Sequence, residues 1–469
     1  MNNPGPRRGS IFGGLLLIAI GVLFLIHYMV PGLLHLGELA RYWPLLLIVW
    51  GLARLWDHFA AQRANQQPPR AVSAGELLLI LLVIAGVAAV VAFGRLHGGG
   101  PMWDTEIGFF GSPYTFTSTL PVQPVTAGSR LDLWTPRGNI NVRAQPEPNV
   151  NAAVTKIVNA ASQAAAQQTA DRTTVAFEAT AQALRLEPKM PSGGDNEQVN
   201  YDVSAFPQIS LSASTGRGDV DVDGIAGEVA ASAAGGIEVS NSGSDTTLDL
   251  RRGNVHVHSA AGNVLINGHG EQVDVGEVAG SASINGEFYG PIRIRAVAKN
   301  LQFNSSRTSF SVTALPGRFE MDSGRLVLSD TPGDASLETR EKDIEFENVQ
   351  GRLHVVNHNG GVEIRFSRPP RSDIDVSNGS GDIELVLPPE SSFSIAAESR
   401  SGDISSDFQT PTLKLVESSP DSRLEGAVGA EGPKISLNTS YGTIRIRKAP
   451  ATTPAPPTPP VPPTAPTSR

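Results

Sequence analysis

The chain has no cysteine, and only 6% of its residues are aromatic. Without cysteine there are no disulfides, thiolate metal sites, Fe–S clusters or cysteine nucleophiles, although an oxidising compartment stays open. The sequence also lacks a nucleotide-binding glycine loop with its lysine, a Gly-x-Ser-x-Gly elbow and a His-Glu-x-x-His helix. The common signatures of several enzyme classes are therefore missing.

Basic residues are scarce outside the start of the chain. The net charge is −9 over 469 residues. Residues 1–95 hold seven Arg and three acidic residues, a net of 7 − 3 = +4, so the remainder carries −9 − 4 = −13. Nucleic-acid binding needs a basic footprint, so an acidic, well-solvated outer part excludes nucleic acid as the expected partner. The length predicts two or more domains, and the 48 Gly and 35 Pro residues predict many turns.

Long hydrophobic runs occur only near the start of the chain. Residues 11–30 have His27 as their one ionisable side chain, and a helix of this length spans a bilayer core. Residues 42–56 are flanked by interfacial aromatics, and residues 77–93 form a third run. A signal peptide is the alternative for the first run, but a small-residue cleavage site is missing and further spans follow. We therefore expect a cytoplasmic tail at 1–10 and a three-helix transmembrane region at 11–94.

Arginines set the expected orientation. Arg7 and Arg8 precede the first span, and Arg54, Arg63 and Arg70 flank the loop before the third. The positive-inside rule places the N-terminus in the cytoplasm and everything after the third span outside, in a periplasm or at the cell surface. His27 lies near the outer end of its span, where it is either a functional group or simply reaches the interface.

The membrane region carries a resemblance to a known family. The stretch Gly14-Leu-Leu-Leu-Ile-Ala-Ile-Gly21-Val-Leu-Phe-Leu, followed by Tyr42-Trp43-Pro44-Leu-Leu-Leu-Ile-Val-Trp-Gly51-Leu, resembles the transmembrane region of bacterial LiaI and LiaF-type proteins. The resemblance implies a bacterial cytoplasmic (inner) membrane protein linked to cell-envelope stress signalling. It covers about 45 residues of the chain.

The outer part repeats one short pattern, in which a glycine precedes alternating apolar and polar residues. Several of these glycines are separated by 9 or 18 residues. Such alternation predicts short strands joined by tight turns. A Greek-key sandwich also has short strands at such intervals, but the fixed glycine register favours a β-solenoid (β-helix) over residues 128–447. The glycines are Gly138, Gly218, Gly227, Gly236, Gly253, Gly262, Gly280, Gly324, Gly351, Gly361, Gly381, Gly402 and Gly442.

The start of this region departs from the repeat. We expect a strand at 153–158, a small helix at 160–172 and a strand-like run at 173–186, which together would cover the open edge of the solenoid. Residues 95–127 form a juxtamembrane linker with one short strand near 114–119. Residues 448–469 contain mainly Pro, Ala and Thr and are expected to be a disordered tail that prefers polyproline II, either a spacer or a ligand for a partner.

A second resemblance covers residues 128–447. Arg137-Gly-Asn-Ile-Asn-Val142, the Gly-Asp-Val/Ile repeats and Gly432-Pro-Lys-Ile-Ser-Leu-Asn-Thr-Ser-Tyr-Gly-Thr-Ile-Arg-Ile446 resemble a bacterial adhesin-like domain of unknown function. The resemblance implies a β-helical fold. Its motifs are structural repeats and carry no catalytic signature.

Several acidic side chains are candidates for chemistry. Some β-helices place carboxylates from neighbouring coils together for glycoside hydrolysis, for which the candidates are Asp219, Asp221, Glu238, Asp382 and Glu384. The simpler interpretation is that each is an outward charge on a strand. Asp219-Val-Asp-Val-Asp-Gly224 also matches the opening of an EF-hand loop, but Ala230 stands where the bidentate carboxylate belongs.

Histidines give one metal hypothesis. His256 and His258 face the same side of one predicted strand, and His269 is expected on a neighbouring one, which would allow a two- or three-histidine site. The alternative is exposed imidazoles, which we favour because spacing fixes no further ligand. We therefore assign no catalytic, cofactor-binding or metal residue and expect no cofactor.

The sequence predicts a membrane-anchored all-β protein: three transmembrane helices, a β-solenoid of short glycine-punctuated strands with one small helix near its start, and a proline-rich tail. We expect a non-enzymatic role in cell-envelope stress sensing or regulation, through contacts with a membrane signalling protein. The alternative is a membrane-anchored adhesin or scaffold that binds glycan or cell wall.

Overall fold

The computed structural model describes residues 112–180, 182–190, 197–418 and 420–450. The three predicted spans, His27 and residues 451–469 lie outside these ranges. Among the described residues, no helix has the length and apolar character needed to cross a membrane. The fold below is that of the unit comprising Tyr114–Val158 and the described residues from Gln167 onward.

Alternating side chains build two sheets of 17 strands each, which we call sheet A and sheet B. In strand β10 (Val220–Asp223), for example, Val220 and Val222 are buried while Asp221 and Asp223 point outward. A strand presents alternate residues to opposite faces. One face of each sheet therefore contributes to a single apolar core, and the other faces outward.

Sheet A holds the first two strands among the described residues and every second strand of the parallel series. Its strands are β1 (Ser112–Thr119), β2 (Gln123–Pro124), β4 (Ile140–Ala144), β5 (Asn149–Ala160), β8 (Glu197–Ala205), β10, β12 (Ile237–Ser242), β14 (Val255–Ala260), β16 (Val273–Val278), β18 (Ile292–Val297), β21 (Leu315–Met321), β22 (Arg325–Thr331), β24 (Asp343–Val349), β26 (Val362–Arg365), β28 (Ile383–Leu387), β30 (Ile404–Ser406) and β34 (Ile444–Lys448).

Sheet B holds the intervening strands. They are β3 (Arg130–Thr135), β6 (Thr174–Ala179), β7 (Ala183–Lys189), β9 (Ser210–Thr215), β11 (Val229–Ala233), β13 (Thr246–Leu250), β15 (Val264–Gly270), β17 (Ala282–Phe288), β19 (Leu301–Asn304), β20 (Thr308–Val312), β23 (Ala335–Glu341), β25 (Leu353–Asn359), β27 (Ile374–Ser380), β29 (Phe393–Ser399), β31 (Lys414–Ser418), β32 (Asp421–Val428) and β33 (Lys434–Tyr441). Helix α1 is Gln163–Arg172.

From β9 to β19 the chain winds between the two sheets, and each strand pairs in parallel with the strand one coil away. The aligned residues Val220, Ile237, Val255, Val273 and Ile292 are 17, 18, 18 and 19 positions apart. One coil therefore takes 17 to 19 residues and contributes one strand to each sheet. The predicted solenoid is confirmed, and its glycine spacing of 18 is the length of one coil.

One coil runs backwards. Strands β20 and β21 pair antiparallel with β19 and β18, and then with β23 and β22 on their other sides. After them the parallel winding resumes in the original direction, because β22 and β23 pair in parallel with β24 and β25. Phe310 of β20 and Phe319 of β21 stack in the core of this coil, with ring centroids 4.4 Å apart.

The two ends of the solenoid are built differently from its middle. At the start, β3 and β4 lie between β7–β8 and β9–β10, and the antiparallel strands β5 and β6 cover the outer edges. The ammonium group of Lys156 on β5 donates to the carbonyl oxygens of Ala170 and Thr173, 2.8 and 2.5 Å away, and so holds the end of α1. The predicted cap is confirmed.

At the other end, the last coil in sequence is not the last coil in space. Strands β33 and β34 lie between β27–β28 and β29–β30, and pair with both in parallel. Beyond β29, the antiparallel strands β32 and β31 finish sheet B. Each chain end of the repeat region is therefore inserted one coil inside its end of the stack.

The repeated glycines at 360, 381 and 442 lie at one corner of the solenoid, where the chain passes from sheet B to sheet A. A Cβ on Gly381 would lie well inside van der Waals contact with the carbonyl oxygen of Gly360, and one on Gly442 would meet Gly381 in the same way. These three glycines also have φ of 110°, 123° and 152°, which other residues rarely adopt. A stack of glycines at this corner therefore allows successive coils to approach closely.

Polar side chains on both sides of these glycines complete the corner. Three residues before each glycine is a buried amide or hydroxyl that caps a corner carbonyl: Asn378 Nδ2 donates to the oxygens of Gly360 and Gly381, each at 3.0 Å. One residue after the glycine, Asp382 accepts from the Thr443 amide of the next coil at 2.8 Å. Thr135, Thr215, Asn357 and Ser399 cap carbonyls of their corners in the same way.

One detail of the predicted cap was wrong. The run expected as one strand at 173–186 is two antiparallel strands, β6 and β7, because Thr180 caps a tight turn by accepting from the amide of Ala183. In the segment before the repeat, the short strand expected near 114–119 is β1, and β2 follows it. Both pair with β5, so the described end of this segment is tied to the cap.

Candidate interaction surface

The outward faces of the two sheets differ sharply in charge. On β10 to β18 of sheet A the outward residues are Asp221, Asp223, Glu238, Ser240, His256, His258, Asp274, Gly276, Arg293 and Arg295. On β9 to β19 of sheet B they are Ser212, Ser214, Ala230, Ser232, Thr247, Asp249, Leu265, Asn267, His269, Ser283, Asn285, Glu287, Gln302 and Asn304. We call the first the charged face and the second the uncharged face.

Hydrogen-bonded amides organise the uncharged face. Asn267 donates to Asp249, Asn285 to Asn267, and Asn304 to Asn285, with distances of 3.4, 3.3 and 3.1 Å. Each amide therefore bonds to its neighbour one coil away, and the row continues along the sheet. The result is a polar surface on which Asp249, His269 and Glu287 are the ionisable residues among the outward positions from β9 to β19.

The charged face is divided into bands of like charge. An acidic band contains Asp221, Asp223 and Glu238 on the neighbouring strands β10 and β12, and Asp202 on β8, with β4 between β8 and β10. A basic band contains Arg293, Arg295 and Arg318 on β18 and β21. A second acidic band contains Glu345, Glu363 and Glu384 on β24, β26 and β28. Arginines pair with each member of this last band, so it is partly neutralised.

The basic band sets two like charges directly opposite each other. Arg295 and Arg318 are register partners in the antiparallel pair of β18 and β21. Like charges in this position destabilise a sheet. Arg295 also lies 3.5 Å from Asp274 on β16, and Arg293 has Glu320 as its register partner. No ion pair of Arg293 or Arg318 within 4.0 Å occurs among the described residues, so three arginines face two carboxylates. The band therefore carries excess positive charge that a partner could neutralise.

A shallow depression of about 240 Å³ lies between the acidic and basic bands. Its walls include Glu238, His256, Asp274 and Arg295, and Gly276 forms part of its floor. The space above Gly276 is open, since a Cβ built on this residue would have only His258 Nδ1 within 4 Å, at 3.8 Å. The depression is therefore lined by both signs of charge and is open to solvent.

The carboxylates selected from the sequence fall into two groups. Asp219 and Asp382 were expected on strands, and this was wrong: both lie in corners, one residue before β10 and β28. Asp219 accepts from the Gly236 amide at 2.7 Å, as Asp382 does from Thr443. Both therefore join successive coils, and this accounts for the Gly-Asp pairs of the repeat.

The other three carboxylates do lie on strands and point outward. Glu384 is paired with Arg447 at 3.1 Å. Asp221 and Glu238 are register neighbours on adjacent strands. Burial raises the pKa of Asp221, Glu238 adds to this effect, and Arg143 at 3.5 Å opposes it. The EF-hand-like segment is strand β10, so its alternating Asp residues belong to the charged face.

Acid should weaken the corner held by Asp382. The Thr443 amide and the Arg445 guanidinium hold the pKa of this carboxyl below its usual value of about 3.9. A lowered pKa in the folded state favours folding above the unfolded value, and this contribution is lost as the pH falls through the folded value. We expect Asp382→Asn to destabilise the protein at pH 7 and to have a smaller effect at pH 3. Urea unfolding midpoints at both pH values test this; an equal effect at both would contradict it.

The histidine hypothesis was wrong in one part. His256 and His258 share a face of β14, as expected, but His269 lies on β15 in the other sheet, beside Glu287. Consecutive strands of a solenoid belong to different sheets, so neighbours in sequence are not neighbours in space. No group of three or more His, Cys, Asp or Glu side chains suited to a metal ion occurs in the described ranges.

The basic band was not predicted from the sequence. Arg293 and Arg295 alternate with Ile292 and Ile294, a pattern that does predict outward arginines on a strand. Gly290 stands two residues before this strand but was not among the glycines selected from the sequence, and Arg318 is brought beside the strand only by the reversed coil. The local pattern was therefore visible, but the pairing of the three arginines was not.

Comparison with known proteins gives two family matches and five similar chains of solved structures, including the following two. The model of the family described as Toastrack DUF4097 matches residues 137–447, and that of the LiaI-LiaF-like transmembrane region matches residues 11–55. No curated protein matches the chain. A provisionally named cell adhesion protein from Clostridium sporogenes is 11% identical and covers 72% of this chain and 100% of its own, with a TM-score of 0.16. A provisionally named adhesin from Bacteroides fragilis is 11% identical and covers 73% of this chain and 100% of its own, with a TM-score of 0.17.

The two structures are too distant to support a conclusion about function. The transmembrane match identifies a membrane-anchored protein, as the hydrophobic runs predicted. The larger match spans 311 of 469 residues, from 137 to 447, and coincides with the corner motif and the two-sheet solenoid. The chain therefore belongs to the Toastrack DUF4097 family.

Proposed function

We propose that the solenoid is an extracytoplasmic recognition module in cell-envelope stress sensing, which binds a protein partner through its charged face and passes the bound state to a membrane partner through residues 11–94. The observation that supports this is the basic band, in which Arg295 and Arg318 face each other. Unfavourable like-charge pairs that persist on a rigid surface are typical of sites that a complementary partner neutralises.

The rigidity of the scaffold supports the same role. Each charged side chain extends from a strand whose inward residues belong to one continuous core, so the bands keep a fixed spacing. A partner of complementary charge would gain rate and specificity from such a pattern. The transmembrane resemblance supports a signalling role in the membrane.

Charge reversal tests the binding face. A photo-crosslinking residue at position 318 should capture a protein in cells, and Arg293→Glu with Arg295→Glu should reduce the capture at least about tenfold. The matched control is Ser283→Glu with Gln302→Glu, which adds acidic residues to the uncharged face of the same coils and should leave capture unchanged. Equal capture by the two double variants would contradict the proposal.

A second candidate function is a membrane-anchored adhesin or scaffold. The uncharged face favours it, because a flat array of amides and hydroxyls offers many donors and acceptors to a glycan. A probe at Ser311, on the uncharged face of the reversed coil, would then capture wall or glycan material while position 318 captures nothing.

Exchange of the anchor separates the two functions. Replacing residues 11–94 by an unrelated three-span anchor should abolish a sensor's effect on its membrane partner, because that effect needs the native transmembrane sequence. An adhesin needs only attachment and should keep its binding. Retention of full signalling after the exchange would count against the sensor.

A further inference from the structure

The two ends of the solenoid are covered to different extents. At the start, β5 and β6 cover the edges of sheets A and B. At the far end, sheet A stops with the three residues of β30, and sheet B stops with β31, for which β32 is the one strand partner in the described ranges. An apolar groove of about 580 Å³ opens between these last strands.

The groove has an apolar floor and a polar rim. Ile404, Phe408 and Leu424 line it and are 5%, 3% and 3% exposed, while Leu415 on β31 is 46% exposed. Ser405, Ser406, Gln409 and Thr410 lie along its border. Phe408 packs edge-on against Phe393, with centroids 5.2 Å apart, so the aromatic wall is fixed.

The described chain ends beside this groove. Strand β34 pairs with β30, and the amide of Lys448 donates to Asp407 at 3.1 Å. The ammonium of Lys448 lies 5.1 Å from the centroid of the Phe408 ring, whose side chain forms part of the groove wall. Residues 451–469 therefore continue from a point next to the groove.

The sequence of this segment has the period of polyproline II. Prolines recur every third residue at 454, 457, 460, 463 and 466, and again at 456, 459 and 462. The third position of each turn is Ala455, Thr458, Val461 and Thr464. Polyproline II has three residues per turn and rises about 3.1 Å per residue, so these rows form continuous faces. Such helices bind to apolar, aromatic-lined grooves with little loss of entropy.

We propose that residues 451–469 fold back as a polyproline II segment into the groove between β30 and β31 of the same chain, and so cap the open end of the solenoid. Facing sheets are about 10 Å apart, a distance that roughly four residues of polyproline II span. The segment is thus long enough with residues to spare. Prolines lack an amide hydrogen and cannot extend the edge of β31 as another strand, so the groove is the complementary site.

The absence of cysteine permits a direct test in the full-length chain. Leu415→Cys with a second cysteine at Ala455, Thr458, Val461 or Thr464 in turn can form only the introduced disulfide. The matched control replaces Leu415→Cys by Arg447→Cys, an exposed position on the outward face that is closer to the segment in sequence. A free chain would meet position 447 at least as often as position 415.

We expect disulfide formation with position 415 to be at least about tenfold faster than with position 447 for one of the four partners. The triple variant Pro457→Gly, Pro460→Gly and Pro463→Gly should slow it several-fold, since it loosens polyproline II without changing the groove. Equal rates at 415 and 447 would overturn the proposal. So would disulfide-linked dimers from a mixture of the two single-cysteine chains, because a second copy would then supply the segment.

Discussion

Replacing Gly381 by alanine is expected to lower the free energy of unfolding of the solenoid by about 3 to 5 kcal/mol. The new methyl group would overlap the carbonyl oxygen of Gly360, and the backbone at φ 123° is strained for any residue with a side chain. Neither problem can be relieved locally, because Gly381 is flanked by one coil at Gly360 and another at Gly442. Urea unfolding of the purified protein measures the loss.

Two other glycines separate the contribution of backbone strain from that of close contact between coils. Gly128 has φ of 83°, but nothing lies within 4 Å of the position that a methyl group would take, so Gly128→Ala should show only backbone strain, about 1 kcal/mol. Gly324 has neither a positive φ nor a near neighbour, so Gly324→Ala should change stability by less than about 0.5 kcal/mol. A loss at Gly381 no larger than that at Gly128 would show that close contact between coils is unimportant.

The second large effect is expected at the buried amide of the same corner. Asn378 is 4% exposed and donates to two carbonyl oxygens. Asn378→Ala removes one donor from each carbonyl, which leaves Thr439 as a donor to Gly381 and Asn357 as a donor to Gly360, and should cost about 2 to 3 kcal/mol. Asn378→Thr should cost less, about 1 kcal/mol, because Thr439 one coil away uses its hydroxyl to reach the carbonyl of Gly381. Both are read from urea unfolding.

The relative stability of the Asn378→Ala and Asn378→Thr variants shows whether the corner requires a hydrogen-bond donor. If the corner requires a donor, the threonine variant should be the more stable one, although the alanine side chain is apolar and matches the core better. Equal losses for the two would mean that the side chain serves packing alone. The carbonyls would then find other donors, such as ordered water.

Much of the solenoid could be predicted because the repeat is local. Every repeat glycine selected from the sequence is followed by a strand, from Gly138 before β4 to Gly442 before β34. The alternation after each glycine also gave the buried face correctly, as at Ile383 and Leu385 of β28. These features depend on a few adjacent residues, so a single sequence contains them.

The parts that could not be predicted depend on distant pairings. Nothing near Thr308 or Leu315 indicates that their strands run against the rest of the stack, since an outward-inward alternation is the same in both directions. The insertion of β34 between β28 and β30 joins Ile383 to Ile444, 61 residues later. A pattern of period two does not specify which strand lies beside which.

In the candidate interaction surface, too, some positions could be predicted from the local sequence and others could not. Outward positions such as Asp221 and Arg293 follow from alternation. The assignment of Asp219 and Asp382 to strands failed because a residue at the strand boundary can belong to either element, and the bond to the next coil decided it. The prediction that His269 lies near His256 and His258 failed because successive strands of the chain belong to different sheets.

The inserted coil β33–β34 also constrains the order in which the domain can form. Strands β27 and β28 find their partners on one side only when residues 434–448 have left the ribosome, because β33 and β34 are the strands that cover them. Until then the growing edge of the stack ends at Ile374, Val376, Ile383 and Leu385, all apolar. The first coils also wait for distant strands, since Ile140 of β4 pairs with Tyr201 and Val220, 61 and 80 residues later. The stack can therefore be completed only when its last strands, β33 and β34, are in place.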